Sequence, residues 1–132
     1  MNTEIWGPKA WFFIHSLALG YPASPSKTDK DHYRSFFKNL GHVLPCPWCR
    51  EHYTKNMKDS ELEHGLESRI DLFNFTVDIH NKVNAMLGKR ILTHAEALAR
   101  TTRPYKNYRT IVVMVTLLLI LLAMTLVAIT LR

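Results

Sequence analysis

Between Ser68 and Leu87 the chain reads SRIDLFNFTVDIHNKVNAML, the longest helical pattern outside the C-terminal region. Apolar side chains recur there every three or four residues, which is the spacing of one face of an α-helix. They form one stripe: Leu72, Phe75, Ile79, Val83 and Met86. Gly88 follows directly and is a favoured C-terminal cap. The stretch therefore predicts a long helix that presents one face to a hydrophobic core.

A neighbouring stripe on the same predicted helix places two polar side chains among apolar ones. Its members are Phe73, Val77, His80, Asn84 and Leu87. Because buried polar groups need hydrogen-bond partners, His80 and Asn84 have two readings. Either they satisfy each other or a backbone carbonyl, or they line a pocket for a polar aromatic ligand, with His15 facing them from the first helix.

The rest of the soluble sequence also predicts helices, and no segment alternates with the period of a strand. We expect these helices over 8–20, 28–42, 46–57 and 93–102, with 58–65 as a polar link. Capping boxes are expected at Thr28 with Asp31 and at Thr93 with Glu96. The inward faces should carry Trp11, Ile14, His15, Ala18, Phe36, Phe37 and Leu40. The predicted fold class is an all-α, up-and-down helical bundle.

The C-terminal region predicts a membrane-spanning helix. From Ile111 to Leu131 the chain has 21 consecutive residues without a charge. At about 1.5 Å per residue, this length matches the roughly 30 Å core of a bilayer. A domain of this size has no interior able to cover such a helix on every side. We therefore expect a folded domain over 1–103, a basic juxtamembrane segment over 104–110 and a transmembrane helix over 111–131.

The distribution of charge argues against a nucleic-acid partner. The net charge is +6, but residues 1–99 hold 12 Lys and Arg against 11 Asp and Glu. Most of the excess lies just before the apolar segment, at Arg100, Arg103, Lys106 and Arg109. Cations on this flank favour a cytosolic orientation of the preceding domain. Because the first residues do not resemble a secretory signal peptide, we expect a tail-anchored, single-pass protein.

The chain has two cysteines, Cys46 and Cys49, spaced as C-x-x-C. Pro47 suits the first turn of a helix, so one sulfur can lie at a helix N-terminus, where a thiolate is favoured. Such a pair can exchange with substrate thiols and close its own ring. Arg50 occupies the position at which c-type haem attachment requires histidine. The pattern predicts a redox pair.

Two other kinds of site remain to be compared with the redox pair. His42 and His52 flank the cysteines as H-x3-C-x2-C-x2-H, which would complete a cramped zinc site. A thioredoxin-like domain would place the pair after a strand, and no strand is predicted. A disulfide-forming dithiol needs an electron acceptor, which side chains do not supply. No G-x-G-x-x-G motif or P-loop occurs, so a nucleotide cofactor would have to lie between helices.

Four motifs together carry a resemblance to a known family. They are Trp11-x3-His15, Tyr21-Pro22, Pro45-Cys46-x2-Cys49 and His80-Asn81-x-Val83-Asn84-x2-Leu87-Gly88-Lys89. In order and spacing they resemble the Erv/ALR family of FAD-linked sulfhydryl oxidases. The resemblance implies a four-helix bundle with a short fifth helix that holds FAD, usually as a homodimer. It also implies oxidation of dithiols with reduction of oxygen to hydrogen peroxide.

The same resemblance implies roles for individual residues and no metal ligands. Cys46 would be attacked by the substrate thiol, and Cys49 would lie beside the isoalloxazine ring and pass electrons to it. The implied FAD contacts are Gly7, Trp11, His15, Tyr21, Cys49, His80, Asn81, Val83, Asn84 and Lys89.

The chain departs from the cellular family members in three ways. Phe75 stands where many have tryptophan, Val77 stands where they often have cysteine, and a second cysteine pair is missing. Substrate thiols should therefore reach Cys46 directly from a small thioredoxin-like or CxxC carrier protein, and a homodimer should lack an intersubunit disulfide. This minimal form resembles oxidases of large cytoplasmic DNA viruses, which implies a host or virion membrane. The alternative function is a zinc-binding or flavin-free, membrane-anchored interaction module.

Overall fold

The computed structural model describes residues 2–130, apart from the side chains of 104–108. Within these residues it contains six α-helices and no β-strand, which confirms the all-α fold class. The helices are α1 (Thr3–Gly20), α2 (Lys27–Val43), α3 (Pro47–Asn56), α4 (Asp59–Gly65), α5 (Arg69–Met86) and α6 (His94–Thr130). The last residue of the predicted membrane span, Leu131, lies outside the described residues.

Helix α5 is the centre of the bundle and packs against α1, α3 and α4, while α2 packs against α3. The predicted core stripe is confirmed at Leu72, Phe75 and Ile79, which are buried. The prediction is wrong for Met86, which is 44% exposed. Met86 lies in the last turn of α5, where its sulfur meets the polar amide of Asn56 at 3.3 Å.

The start of α2 differs from the predicted capping box. The structure uses Ser26 with Asp29: the Asp29 N–H donates to Ser26 Oγ at 3.2 Å, and the Ser26 N–H donates to the Asp29 carboxylate at 2.8 Å. Thr28 and Asp31 fit the same pattern two residues later, but they are already inside the helix. Pro25 disfavours a helical conformation for the residue before it but not for the residues after it. The helix can therefore begin directly after Pro25, with Ser26 as its N-cap.

The expectation that 58–65 is a link without structure is wrong, because Asp59–Gly65 forms α4. This segment has too few apolar residues to show a helical period. Its helix is fixed by tertiary burial instead, since Leu62 and the following Leu66 have no exposed surface. At Gly65 the helix lies so close to α5 that an added Cβ would stand 2.9 Å from Phe75 Cβ.

Two expectations for the C-terminal half are confirmed locally. Gly88 has φ 64°, as suits a residue just past a helix, and the Thr93 N–H donates to the Glu96 carboxylate at 2.9 Å. The predicted short fifth helix does not end near Thr102, however. It continues as α6 through a segment that contains Pro104 and no glycine.

Contacts divide the chain into two compact units, Met1–Ala97 and Leu98–Arg132. In the second unit, Arg109–Thr130 is long and apolar enough to cross a membrane, and none of this stretch is buried. Length and composition alone support this assignment. The functional residues predicted from the sequence all lie in the first unit.

Candidate active site

The two cysteines lie at the start of α3 and contact each other. Cys46 is the N-cap residue, with Pro47 at the first helical position. The backbone N–H of Cys49 donates to Cys46 Sγ at 3.2 Å, so the sulfur performs the capping role usually taken by a side-chain oxygen. Both cysteines are free thiols and half-buried. The pair is therefore ordered by the helix and still reachable from solvent.

The two thiols have opposite acidities. The pKa of Cys46 is lowered from its ordinary value, first by a hydrogen bond from the Cys49 thiol and then by the N–H groups at the start of the helix. Burial raises the pKa of Cys49 to about 11, and the hydrogen bond to Cys46 adds to this effect. Cys46 is thus the more acidic of the two thiols, whereas Cys49 keeps its proton at neutral pH and donates it in the hydrogen bond to Cys46.

The side chains beside the pair are aromatic and basic. Trp48 is 48% exposed, and its ring lies 3.9 Å from the ring of His52, centroid to centroid. The next residue after Cys49 is the exposed Arg50. Among the described residues, no three His, Cys, Asp or Glu side chains are grouped as metal ligands. The four-ligand zinc arrangement considered from the sequence is not formed in this part of the chain.

A second cluster joins α1 to α5 through histidines. His15 Nδ1 lies 2.9 Å from Thr76 Oγ1, and His15 Nε2 lies 3.0 Å from His80 Nδ1. The Thr76 hydroxyl donates its single proton to the carbonyl of Phe73 at 2.7 Å. Thr76 must therefore accept from His15 Nδ1–H, which leaves Nε2 of a neutral His15 to accept from His80 Nδ1–H. The chain of bonds fixes the tautomer of both imidazoles.

Aromatic stacking holds the same two imidazoles. The rings of Trp11 and His80 are nearly parallel, with centroids 4.2 Å apart and an interplanar angle of 5°. His15 stacks with both rings, 5.9 Å from Trp11 and 5.3 Å from His80, and Phe73 lies 5.8 Å from His15. Trp11 and His80 are half-buried, whereas His15 is 6% exposed. The cluster thus reaches from the core to the surface.

Burial keeps His15 neutral. Desolvation lowers its pKa to about 4, and the neighbouring His80 lowers it further in the same direction. A neutral His15 is the state that the hydrogen bonds with Thr76 and His80 require. The structure agrees with one part of the second sequence-based reading: His15 of α1 faces His80 and forms a hydrogen bond with it.

The other predicted contact residues occupy varied positions. Tyr21 has no exposed surface, and its hydroxyl donates to the carbonyl of Leu66 at 3.0 Å. The Asn81 amide donates to the Leu92 carbonyl at 2.8 Å and accepts from the Leu92 N–H at 3.0 Å. Of the remaining residues, Gly7 and Val83 are half-buried, Asn84 is buried and Lys89 is exposed.

The structure brings together Trp11, His15 and His80, which the sequence had placed on separate helices. It adds Thr76, which was not singled out from the sequence. Thr76 lies one turn before His80 on α5, and residues four apart share a helix face. This spacing was the sequence signal that could have placed Thr76 beside His80. Helix α5 also contacts α3, whose first turn carries the cysteines. The two clusters therefore lie on helices that share α5 as a neighbour.

Comparison with known proteins identifies relatives of this arrangement. The Erv1 / Alr family model matches residues 8–103. A protein of Acanthamoeba polyphaga mimivirus, named as a probable FAD-linked sulfhydryl oxidase, is 41% identical over 111 residues, covering 81% of this chain and 78% of the relative. A protein of Invertebrate iridescent virus 6 whose name also includes FAD-linked sulfhydryl oxidase is 36% identical over 102 residues, covering 74% of this chain and 92% of the relative.

Solved structures agree with this result. The crystal structure of the yeast Erv1 core has a TM-score of 0.69 at 31% identity, covering 76% of this chain and 83% of that chain. The FAD binding domain of Erv1 from Saccharomyces cerevisiae has a TM-score of 0.69 at 29% identity, covering 78% and 96%. The matched family model includes the cysteine pair and both helices of the histidine cluster. The chain therefore belongs to the Erv1 / Alr family.

Proposed function

We propose that this protein is a FAD-dependent thiol oxidase that forms disulfide bonds. Electrons pass from a substrate dithiol through Cys46 and Cys49 to FAD and then to oxygen, which gives hydrogen peroxide. The observation that carries the proposal is the thiol pair at the start of α3, where the Cys49 N–H donates to Cys46 Sγ at 3.2 Å and the pKa values of the two thiols are shifted in opposite directions. The FAD-linked designation of the viral relatives and the yeast FAD binding domain support the cofactor.

The residues of the histidine cluster fit a flat aromatic cofactor. Trp11 and His80 form a parallel, half-buried stack on which a further ring can lie. The indole Nε1 of Trp6 is buried and has no hydrogen-bond partner among the described residues, so it is a donor open to a polar ligand atom. Donors, acceptors and stacking surfaces of this kind suit both rings of FAD.

We assign FAD contacts to α1, α5 and the residues just beyond α5. Cys49 lies beside the isoalloxazine, and the remaining members of the contact set are Gly7, Trp11, His15, Tyr21, His80, Asn81, Val83, Asn84 and Lys89. When bound, FAD supplies a two-electron acceptor that oxygen can reoxidise. The histidine cluster orients the stacking rings, because its hydrogen bonds fix the ring positions and tautomers.

The cysteine pair performs thiol–disulfide exchange in two steps. A substrate thiolate attacks Cys46 Sγ of the Cys46–Cys49 disulfide, and Cys49 leaves. The second substrate thiolate then attacks the substrate sulfur of the mixed disulfide, and Cys46 leaves. The substrate gains a disulfide, and the enzyme cysteines gain two electrons and two protons. The lowered pKa of Cys46 favours the second step, because a more acidic thiol is a better leaving group.

The hydrogen bond between the cysteines also defines where the Cys49 proton can go. The raised pKa of Cys49, about 11, means that Cys49 must lose a proton before its sulfur can donate an electron pair. Cys46 leaves the exchange as a thiolate and accepts the hydrogen bond from Cys49, so it is the acceptor in contact with that proton. Because the pKa of Cys46 is the lower of the two, this proton transfer is uphill and gives only a small fraction of the Cys49 thiolate.

The site further suggests how the protein is used. We assign the substrate to a small thioredoxin-like or CxxC carrier protein that reaches Cys46 directly. We assign the apolar segment 111–131 to a host or virion membrane, with the cations before it keeping the catalytic domain on the cytosolic side. Exposed Phe12 and Phe13 on α1 support a homodimer held without an intersubunit disulfide.

The function is tested with the full chain purified in detergent and reconstituted with FAD. We expect flavin absorption bands that bleach when dithiothreitol is added without oxygen and return when air is admitted. Oxygen consumption should yield hydrogen peroxide. A folded protein that stays colourless after reconstitution would overturn the proposal, and a zinc assay on that sample would test the binding-module alternative.

A further inference from the structure

A groove lies beside the reactive pair, between the end of α2 and the exposed side of α3. It has a volume of about 480 Å³ and is lined by Gly41, His42, Arg50, Glu51, Thr54 and Lys55. Gly41 permits the close approach of the two helices, because an added Cβ would lie 2.8 Å from Thr54 Oγ1. The groove is therefore a fixed feature of the α2–α3 packing.

The basic residues of the groove are not held in ion pairs. Four basic side chains elsewhere on the bundle are paired with carboxylates: Lys30 with Glu67, Arg34 with Glu63, Lys38 with Asp59 and Lys82 with Glu61. His42, Arg50 and Lys55 form no ion pair with any residue that the structure describes, and all three are exposed. One carboxylate, Glu51, lines the groove with them. The groove thus presents an excess of uncompensated positive charge.

The α3 residues that line the groove all come after Cys46, the sulfur that the substrate attacks. The Arg50 N–H donates to the Cys46 carbonyl at 3.0 Å, so Arg50 lies one turn beyond Cys46. Lys55 is about 13 Å beyond Cys46 along the helix axis, at 1.5 Å per residue. An extended peptide rises about 3.3 Å per residue, so about four residues span this distance. Exposed Val43 and Trp48 provide apolar contact on either side of Cys46.

We propose that this groove docks an acidic segment of the substrate protein, with carboxylates about two to five residues from the cysteine that attacks Cys46. The proposal rests on the proposed function and defines its substrate class: dithiol proteins whose CxxC pair is flanked by Asp or Glu. Docking holds the substrate thiolate at Cys46 Sγ during the exchange. The two substrate thiols lose two electrons and two protons, and the Cys46–Cys49 disulfide accepts them.

The test compares two peptides that contain the same C-x-x-C pair, one flanked by four Glu and the other by four Gln. With the FAD-loaded full chain in detergent, kcat/KM from oxygen consumption should be about tenfold higher for the Glu peptide, and added salt should reduce the preference. The double variant Arg50→Glu, Lys55→Glu should lose the preference for the Glu peptide over the Gln peptide. It should instead prefer a peptide flanked by Lys. Lys58→Glu, an exposed charge reversal outside the groove, should retain the wild-type preference.

Turnover of dithiothreitol separates this proposal from the proposed function. An unchanged Glu/Gln ratio in the double variant, with normal dithiothreitol turnover, would overturn the docking groove alone. Absence of dithiothreitol turnover in the wild type would overturn the oxidase. If the double variant loses dithiothreitol turnover, Arg50→Gln and Lys55→Gln are measured singly. Each should then lower the Glu/Gln ratio about threefold, and an unchanged ratio in both would reject the groove.

Discussion

The cysteine pair and the histidine cluster represent two different ways of holding functional side chains. The cysteines lie half-buried at a helix start, where the Cys49 backbone N–H donates to Cys46 Sγ and the pKa of Cys46 is lowered. The histidine cluster joins two helices, and Thr76 and His15 at its inner end are buried with their hydrogen bonds satisfied. We infer that reactivity depends on the half-buried cysteine pair and that orientation depends on the buried end of the histidine cluster. Substitutions should therefore separate activity from stability.

Cys49→Ala is expected to show the largest difference between its effect on activity and its effect on stability. Turnover of both dithiothreitol and protein dithiols should fall by at least about 10³-fold, because the sulfur assigned to electron transfer is removed. The thermal midpoint should change little, since Cys49 is at the edge of the bundle. Oxygen consumption measures turnover and circular dichroism measures the thermal midpoint. Flavin absorbance checks that the variant retains the cofactor. Full activity in this variant would show that Cys49 is not in the electron path.

The buried region should determine how stability depends on pH. The pKa of His15 is 6.5 in an unfolded chain and about 4 in the folded protein, so the unfolded state binds more protons between these values. Stability should accordingly fall by about 3 kcal/mol as the pH is lowered from about 6.5 to 4. Denaturant unfolding of the full chain at a series of pH values measures this slope. His15→Gln should flatten it, and exposed His32→Gln should leave it unchanged.

A smaller effect is expected at the inner end of the histidine cluster. Thr76→Val preserves the side-chain shape but leaves the His15 Nδ1–H without its acceptor, which costs about 2 kcal/mol of unfolding free energy. Thr76→Ser should recover most of this loss. The matched control is Thr102→Val, because the Thr102 hydroxyl also donates to a helix carbonyl, that of Leu98, but Thr102 is only half-buried. A loss as large at Thr102 would show that burial is not the cause.

The smallest stability change is expected at Cys46, where activity should nevertheless be lost. Serine is a preferred N-cap residue, so Cys46→Ser should leave the unfolding free energy unchanged or raise it by up to about 1 kcal/mol. Turnover of protein dithiols should vanish, because the attacked sulfur is absent. Denaturant unfolding and oxygen consumption give the two values. A clear destabilisation would mean that the cysteine supports the fold beyond its cap.

Local sequence patterns predicted most helices but could not choose between equivalent signals. The periodicity of α5 was sufficient because three turns of apolar residues point to one side. At α2, Ser26 with Asp29 and Thr28 with Asp31 satisfy the same capping rule, and the local pattern does not show that the helix starts at the first of them. Helix α4 was missed because its stability comes from Leu62 and Leu66 reaching the core, which a seven-residue window does not reveal.

The candidate site was predicted in composition but not in connectivity. The C-x-x-C spacing indicated the redox pair, and the family motifs indicated Trp11, His15 and His80. The opposite acidities of the two thiols depend on which sulfur is buried and which one caps the helix, and spacing alone does not specify this. The role of Thr76 depends on a contact with a residue 61 positions away. Such contacts arise from packing of α1 on α5 and have no local signature.

The Asn81 amide pairs with both backbone groups of Leu92, in the manner of a neighbouring strand. This side chain therefore fastens the segment between α5 and α6 to the surface of the bundle. Exchange of the Leu92 amide hydrogen with deuterium should be slow although Leu92 lies outside any helix. If a bound cofactor takes the Asn81 amide, this single hydrogen becomes exchangeable. Its exchange rate is thus a direct reporter of what Asn81 binds.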